Sequence, residues 1–235
     1  MLAQAPPNDL AGRLRGRPGY AGAARHAGAS GAVGTLMSFP RDAEIYGEGD
    51  PAGTFYEVLG GAVRTCRIMA DGRRQIGDFY LPGDVFGFEG GKEHVYSAEA
   101  VAGCKVVAMP RRAFDGAGEG EQLLRLAVRE IERAQNHVLL LVKSAHARVA
   151  AFLLDMAARS AARTGFDLPG RDLPAFDLPA FDLPMSRQDI ADYLGLTIET
   201  VSRTLTGFEA AALIALPSAR RVVLRDRAAL NRLNA

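Results

Sequence analysis

The sequence predicts an α+β chain in three parts: a small antiparallel β module, one long helix, and a C-terminal helical unit that ends in a hairpin. Three observations predict it. Between Leu36 and Met109, short apolar runs alternate with turn signals about every ten residues. From Glu121 to Ser144 there is neither Pro nor Gly, and apolar residues recur at intervals of three and four. From Met185 to Phe208, two short apolar periods flank one glycine, and each begins behind a capping residue.

Bulk properties narrow the function classes. The 235 residues carry 28 Lys and Arg against 27 Asp and Glu, a net charge of +1, so a polyanion must be met by a local patch. Cys66 and Cys104 are the only cysteines, and no CxxC pair offers a zinc or iron–sulfur ligand set. Without a secretion signal, two reduced and partly buried thiols are expected. No run of 18 apolar residues is present, so the expected partners exclude a membrane and the expected location is the cytoplasm.

Taken in order, residues 1–35 are rich in Gly, Ala, Pro and Arg and read as a flexible N-terminal arm; Arg13, Arg15, Arg17 and Arg25 are solvated there or reach DNA phosphate. Residues 36–119 form the β module. Its strands lie over Thr54–Leu59, Val63–Ile68 and Gln75–Leu81, with turns at Asp50-Pro51, Gly60-Gly61, Asp71-Gly72, Pro82-Gly83-Asp84 and Gly90-Gly91. Residues 120–145 form the long helix, whose Leu124, Val128, Ile131, Gln135, Val138 and Val142 make a near-heptad stripe. Such a stripe packs either on its own domain or on a second copy of itself, and a parallel two-helix dimer seam accounts better for its length.

Residues 146–235 are expected to form a second unit. His146–Thr164 is amphipathic and ends before Gly165. Asp-Leu-Pro then recurs at 167–169, 172–174, 177–179 and 182–184. A proline every fifth residue rules out a regular helix and a central strand, so 166–184 reads as a surface loop, with partner docking through exposed phenylalanines as the alternative.

Ser186 with Asp189 three residues later resembles a helix N-cap, Ile190, Ala191 and Leu194 make one apolar face, and Gly195 suits a left-handed C-cap. Thr197 caps the next helix, on which Val201, Leu205 and Phe208 point inward. Ile198, Glu199, Ser202 and Arg203 are left outward, the arrangement of a helix-turn-helix reading base edges. Arg203 suits guanine O6 and N7, Glu199 suits cytosine N4, and Ser202 suits a base or phosphate. Glu199 and Arg203, at i and i+4, are expected to brace each other. Phosphate contacts are expected from Ser186, Arg187, Thr197, Thr200, Arg220 and Arg221, with Arg225 on the same surface. The stretch from Ala210 to Ala215 is expected to finish a helix, and Val222–Arg225 to form a small wing after the Ser218–Arg221 turn. Residues 185–235 hold seven Arg and five acids, an excess of two positive charges.

The run from Asp189 to Arg203, with Glu199, Ser202 and Arg203 in an E-x-x-S-R pattern, resembles the signature of the CRP/FNR family of bacterial regulators. Together with the Ala219–Arg227 wing, it is most similar to the FixK group of that family. The resemblance covers most of 36–235 and implies an N-terminal β-roll (a cyclic-nucleotide-binding-like jelly roll), a long dimerisation helix and a C-terminal winged helix-turn-helix. It also implies a homodimer that binds a palindromic double-stranded DNA site of TTG type, contacts RNA polymerase, with the Gly90–His94 loop as the candidate contact, and activates microaerobic or nitrogen-fixation genes. In that group the regulator's amount, set by an upstream oxygen-responsive system, replaces a small effector. The departures agree: no cysteine precedes Cys66, so an FNR-type cluster has no ligands, and Tyr96-Ser97 stands where the cyclic-AMP branch has Arg-Ser. Ser186 stands where some FixK-like proteins carry cysteine. No cofactor or metal is therefore expected.

The nearest rival is an effector-gated regulator holding a small molecule or haem in the β module. His94, the sole histidine there, reads as a surface residue. A cupin-like enzyme is a more distant rival, since no two histidines of the β region stand at metal-ligand spacing and no nucleophile elbow or P-loop occurs; no catalytic residue is expected.

Overall fold

The computed structural model describes residues 23–27, 33–111, 119–164 and 180–234. The chain divides into two compact units, Met1–Val128 and Arg129–Ala235.

The first unit is an antiparallel roll of seven strands: β1 (Ala23–Ala27), β2 (Val33–Phe39), β3 (Glu44–Tyr46), β4 (Thr54–Ile68), β5 (Arg74–Tyr80), β6 (Val85–Phe86) and β7 (Ser97–Pro110). They run in the order β1-β2-β7-β4-β5, with β3 on β7 and β6 on β4. The two long strands, β4 and β7, pair along their length because each carries alternating apolar residues for two faces. One face buries Met37, Phe39, Ile45, Tyr56, Val58 and Phe86. The other buries Phe55, Val85, Val107 and Met109 beneath Leu36, Leu59 and Phe88, with Leu123 and Leu126 from the start of the long helix α1 (Glu119–Leu141). Both cysteines are free and buried, and burial pushes their thiols up to about 11 for Cys66 and about 12 for Cys104.

Three expectations for this unit are corrected. The arm over 1–35 was drawn too long: β1 and the start of β2 lie within it, Ala23 opposite Met37. The sequence of β1 has no apolar alternation, and its order comes from backbone pairing along β2, a tertiary cause. Arg25 sits on that strand, while Arg13, Arg15 and Arg17 lie outside the described residues. Gly60-Gly61 is no turn but a bulge inside β4, where the register against β7 shifts. Gly61 has φ 78°, and a Cβ there would lie 2.3 Å from the Gly103 carbonyl oxygen, so only glycine admits that crossing. His94 is 2% exposed, its ring stacked on Tyr46 with centroids 3.6 Å apart.

The second unit holds the end of α1, then α2 (Ala145–Thr164), β8 (Ala180–Asp182), α3 (Arg187–Leu194), α4 (Ile198–Ala210), β9 (Ile214–Ala215), β10 (Arg221–Leu224) and α5 (Arg227–Asn234). A three-stranded sheet β8-β10-β9 forms the wing. Helix α1 stops at Leu141 and does not reach residue 145, because Ser144 turns its hydroxyl to accept the Ala147 N–H and so caps α2. Helix α4 stops at Ala210, short of the expected 215. Ala212 takes φ 55° and the Leu213 N–H donates to the Phe208 oxygen, a tight C-terminal turn that frees Ile214 for β9. The expected loop runs too far at its end: Ala180–Asp182, reaching the first residue of the last Asp-Leu-Pro unit, is an edge strand on β10, and Phe181 and Leu183 are buried. Edge position tolerates the flanking prolines. The earlier repeats, 166–179, lie outside the described residues. Helix α5 was not anticipated; Asp226 caps it by accepting the Ala229 N–H at 2.7 Å, and Leu230 is its buried anchor.

Candidate nucleic-acid interface

Helix α3 begins in a full capping box. The Ser186 hydroxyl oxygen accepts the Asp189 N–H at 3.1 Å, and an Asp189 carboxylate oxygen accepts the Ser186 N–H at 2.9 Å and its hydroxyl at 2.8 Å. The hydroxyl proton of Ser186 is thereby engaged within the capping box. Ile190, Ala191 and Leu194 are buried, and Gly195 ends the helix at φ 62°, ψ 40°. The next two residues carry the chain to Thr197, whose hydroxyl oxygen accepts the Thr200 N–H at 3.2 Å and caps α4.

On α4, Val201, Thr204, Leu205 and Phe208 are buried. Ile198, Glu199 and Arg203 are exposed and Ser202 is half-buried, so the four side chains expected to meet bases share the outer side of one capped helix. Glu199 and Arg203 do not form the expected ion pair. The Glu199 carboxylate is instead held below the usual range first by its own backbone N–H, then by the Thr197 hydroxyl, with the Arg203 charge a lesser cause. Among the described residues, no acid forms an ion pair with the Arg203 guanidinium.

Of the remaining expected phosphate contacts, Arg187 and Thr200 are half-buried, and Thr197, Arg220 and Arg221 are exposed. Arg220 donates to the Pro184 oxygen at 3.3 Å, and Arg221 lies 3.5 Å from Asp182 across the β8–β10 pair, so the wing holds both near its surface. Of the six expected seam residues, Leu124, Val128, Ile131, Gln135 and Val138 are exposed on α1, while Val142, at 81% exposure, lies one residue beyond the end of that helix. No helix is long and apolar enough to cross a membrane among the described residues.

Two side chains passed over in the sequence hold the helix pair from behind. The His137 Nε2 lies 2.9 Å from the Tyr193 oxygen, and the Arg148 guanidinium donates to the Leu194 and Leu141 oxygens at 2.9 and 2.5 Å. The only local signal for Arg148 is one charge in the apolar run after Ser144.

Comparison with known proteins yields two family matches: a Crp-like helix-turn-helix domain over residues 147–233 and a cyclic nucleotide-binding domain over 36–119. The nitrogen fixation regulation protein FixK of Azorhizobium caulinodans is 48% identical over 217 residues, 90% of this chain and 84% of that protein. The protein of the same name from Rhizobium meliloti is 44% identical over 191 residues, 81% of this chain and 82% of that one. Among solved structures, FixK2 from Bradyrhizobium japonicum superimposes with a TM-score of 0.75 at 41% identity, covering 86% of this chain and 98% of that one.

Proposed function

This chain belongs to the CRP/FNR family and is a DNA-binding transcription regulator of the FixK type, and from that premise we propose that it acts as a homodimer on a TTG-type palindrome without a small effector. The observation that carries the reading is the capped pair α3–α4, with Ile198, Glu199, Ser202 and Arg203 outward over a buried row of Val201, Thr204, Leu205 and Phe208. Arg203, unpaired by any acid among the described residues, offers its fork to guanine; Glu199, kept ionised, accepts from cytosine N4. Arg187, Thr197, Thr200, Arg220 and Arg221 hold the phosphates and set the register. Two such helices, joined through the exposed stripe of α1, meet half-sites one helical turn apart.

The roll supports the effector-free reading. Tyr46, Tyr56, Tyr80 and Phe86 pack ring to ring, with Tyr56 and Phe86 stacked at 5.2 Å, so aromatic side chains occupy this part of its core. Gly90, Gly91, Lys92 and Glu93 form an exposed loop above buried His94, and that loop is the proposed RNA polymerase contact. The FixK names of the relatives fit control of microaerobic or nitrogen-fixation genes.

Selection from random duplexes tests this: a palindrome is expected. Arg203→Ala then lowers affinity for it by about 1–3 kcal/mol and relaxes one base-pair position per half-site. An unchanged affinity for the selected site, or a pool without symmetry, rejects the assignment.

A further inference from the structure

We infer that Arg148, seconded by His137, is a positioning residue that fixes the recognition helix α4 against the end of α1 and so sets the spacing of the two helices a dimer offers to DNA. The inference rests on the dimeric, DNA-reading function proposed above and adds the part that makes the spacing exact.

The last carbonyls of a helix have no partner within it. Two such ends meet behind α4: that of α1 at Leu141 and that of α3 at Leu194. The half-buried Arg148 guanidinium answers both. Its Nε donates to the Lys143 oxygen at 2.9 Å and its Nη2 to the Leu141 oxygen at 2.5 Å. Its Nη1 donates to the Leu194 oxygen at 2.9 Å and to the Gly195 oxygen at 3.4 Å. A guanidinium is planar, with its donors in a rigid fork, so these bonds coexist for only one mutual placement of the two helix ends. Its charge also sits where both helices present the negative ends of their dipoles.

A second tie acts in the same sense. The His137 Nε2 lies 2.9 Å from the Tyr193 oxygen, an acceptor, so that nitrogen carries the proton, and the two rings lie 4.2 Å apart. Tyr193, Leu194 and Gly195 are consecutive, and Thr197, the N-cap of the recognition helix, follows Gly195 by two residues. A shift at Gly195 therefore passes into α4 with almost no chain to absorb it. On α1, His137 stands beside the seam position Val138, and Leu141, its last residue, beside Val142 just beyond the helix. The clasp thus joins the element proposed to pair the subunits to the element proposed to read bases.

The test is half-site spacing. Full-length wild type and Arg148→Lys are titrated onto the selected palindrome and onto duplexes whose centre is lengthened or shortened by two base pairs. Wild type is expected to lose on the order of a hundredfold on the altered spacings, because the second half-site is no longer engaged together with the first. Lysine keeps the charge but not the fork, and the variant is expected to cut that penalty to roughly tenfold or less, while a base change inside a half-site costs it as much as it costs wild type. His137→Phe keeps the ring and removes only the bond to the Tyr193 oxygen; it is expected to relax spacing in the same direction and serves if Arg148→Lys does not fold. A purely structural role lowers melting temperature and all affinities together and leaves the spacing ratio unchanged, which overturns the inference. A wild type indifferent to spacing or symmetry overturns the DNA reading as well, and is recognised because the defect is then in the wild type itself.

Discussion

His94 carries a basic ring into the interior of the roll with no hydrogen-bond partner for either nitrogen among the described residues; Glu89 approaches Nδ1 to 3.6 Å. Burial pushes its pKa below the ordinary 6.5, against the opposing pull of Glu89 and Asp50 and with a small push from Arg111. The unfolded ring therefore takes a proton at a pH where the folded ring does not. Its contribution to stability is complete above pH 6.5 and is lost as pH falls below that value, about 1.4 kcal/mol for each unit by which the pKa is depressed. Urea titrations of wild type and His94→Gln between pH 7.5 and 5 check this. The wild-type stability is expected to fall more steeply on acidification, and parallel curves would remove the buried neutral ring from the account. Nothing about position 94 announces this in sequence, because the tyrosine that covers it comes from β3, 48 residues earlier.

At the scale of elements, the wing shows how a repeat is reused. Phe181 lies 4% exposed in β8, opposite Val222 of β10, and its backbone completes the sheet. Phe181→Ala is expected to lower the stability of the C-terminal unit by about 3 kcal/mol, as for other buried phenylalanines truncated to alanine. The unfolding transition of that unit, followed by hydrogen exchange at the amides of α3 and α4, reads the loss, and unchanged protection would return Phe181 to the surface. Local chemistry made other elements legible from the chain. Ser186, Asp189, Gly195 and Thr197 each act within four residues, so α3 and α4 were placed with their caps and their buried rows. What was not legible depends on distant partners: β1 is ordered by β2, β8 by β10, and Gly61 is required by Gly103 across the sheet. The same holds for Arg148, whose bonds to α3 span 46 residues.

For the whole molecule, the decisive surface is the stripe on α1. A lone chain leaves Leu124, Val128, Ile131, Val138 and Val142 in water, Ile131 at 56% and Val138 at 65% exposure. A contiguous apolar row of this length marks an interface, since isolated exposed residues are ordinary but aligned ones are not. The half-buried neighbours Leu123 and Leu126 show the contrast, for they already pack on the roll. Because Ile131 and Val138 are more than half exposed, charges can be placed on them without unfolding the chain. The double change Ile131→Glu, Val138→Glu puts two like charges in each copy of the seam. It is expected to give monomers in sedimentation equilibrium, with thermal unfolding of the individual units little altered. Affinity for the full palindrome should then fall by at least about a hundredfold, toward that for a single half-site, because linkage between the two recognition helices is lost. Dimers of unchanged strength would place the subunit contact elsewhere, and with it the frame that sets two α4 helices one turn of DNA apart.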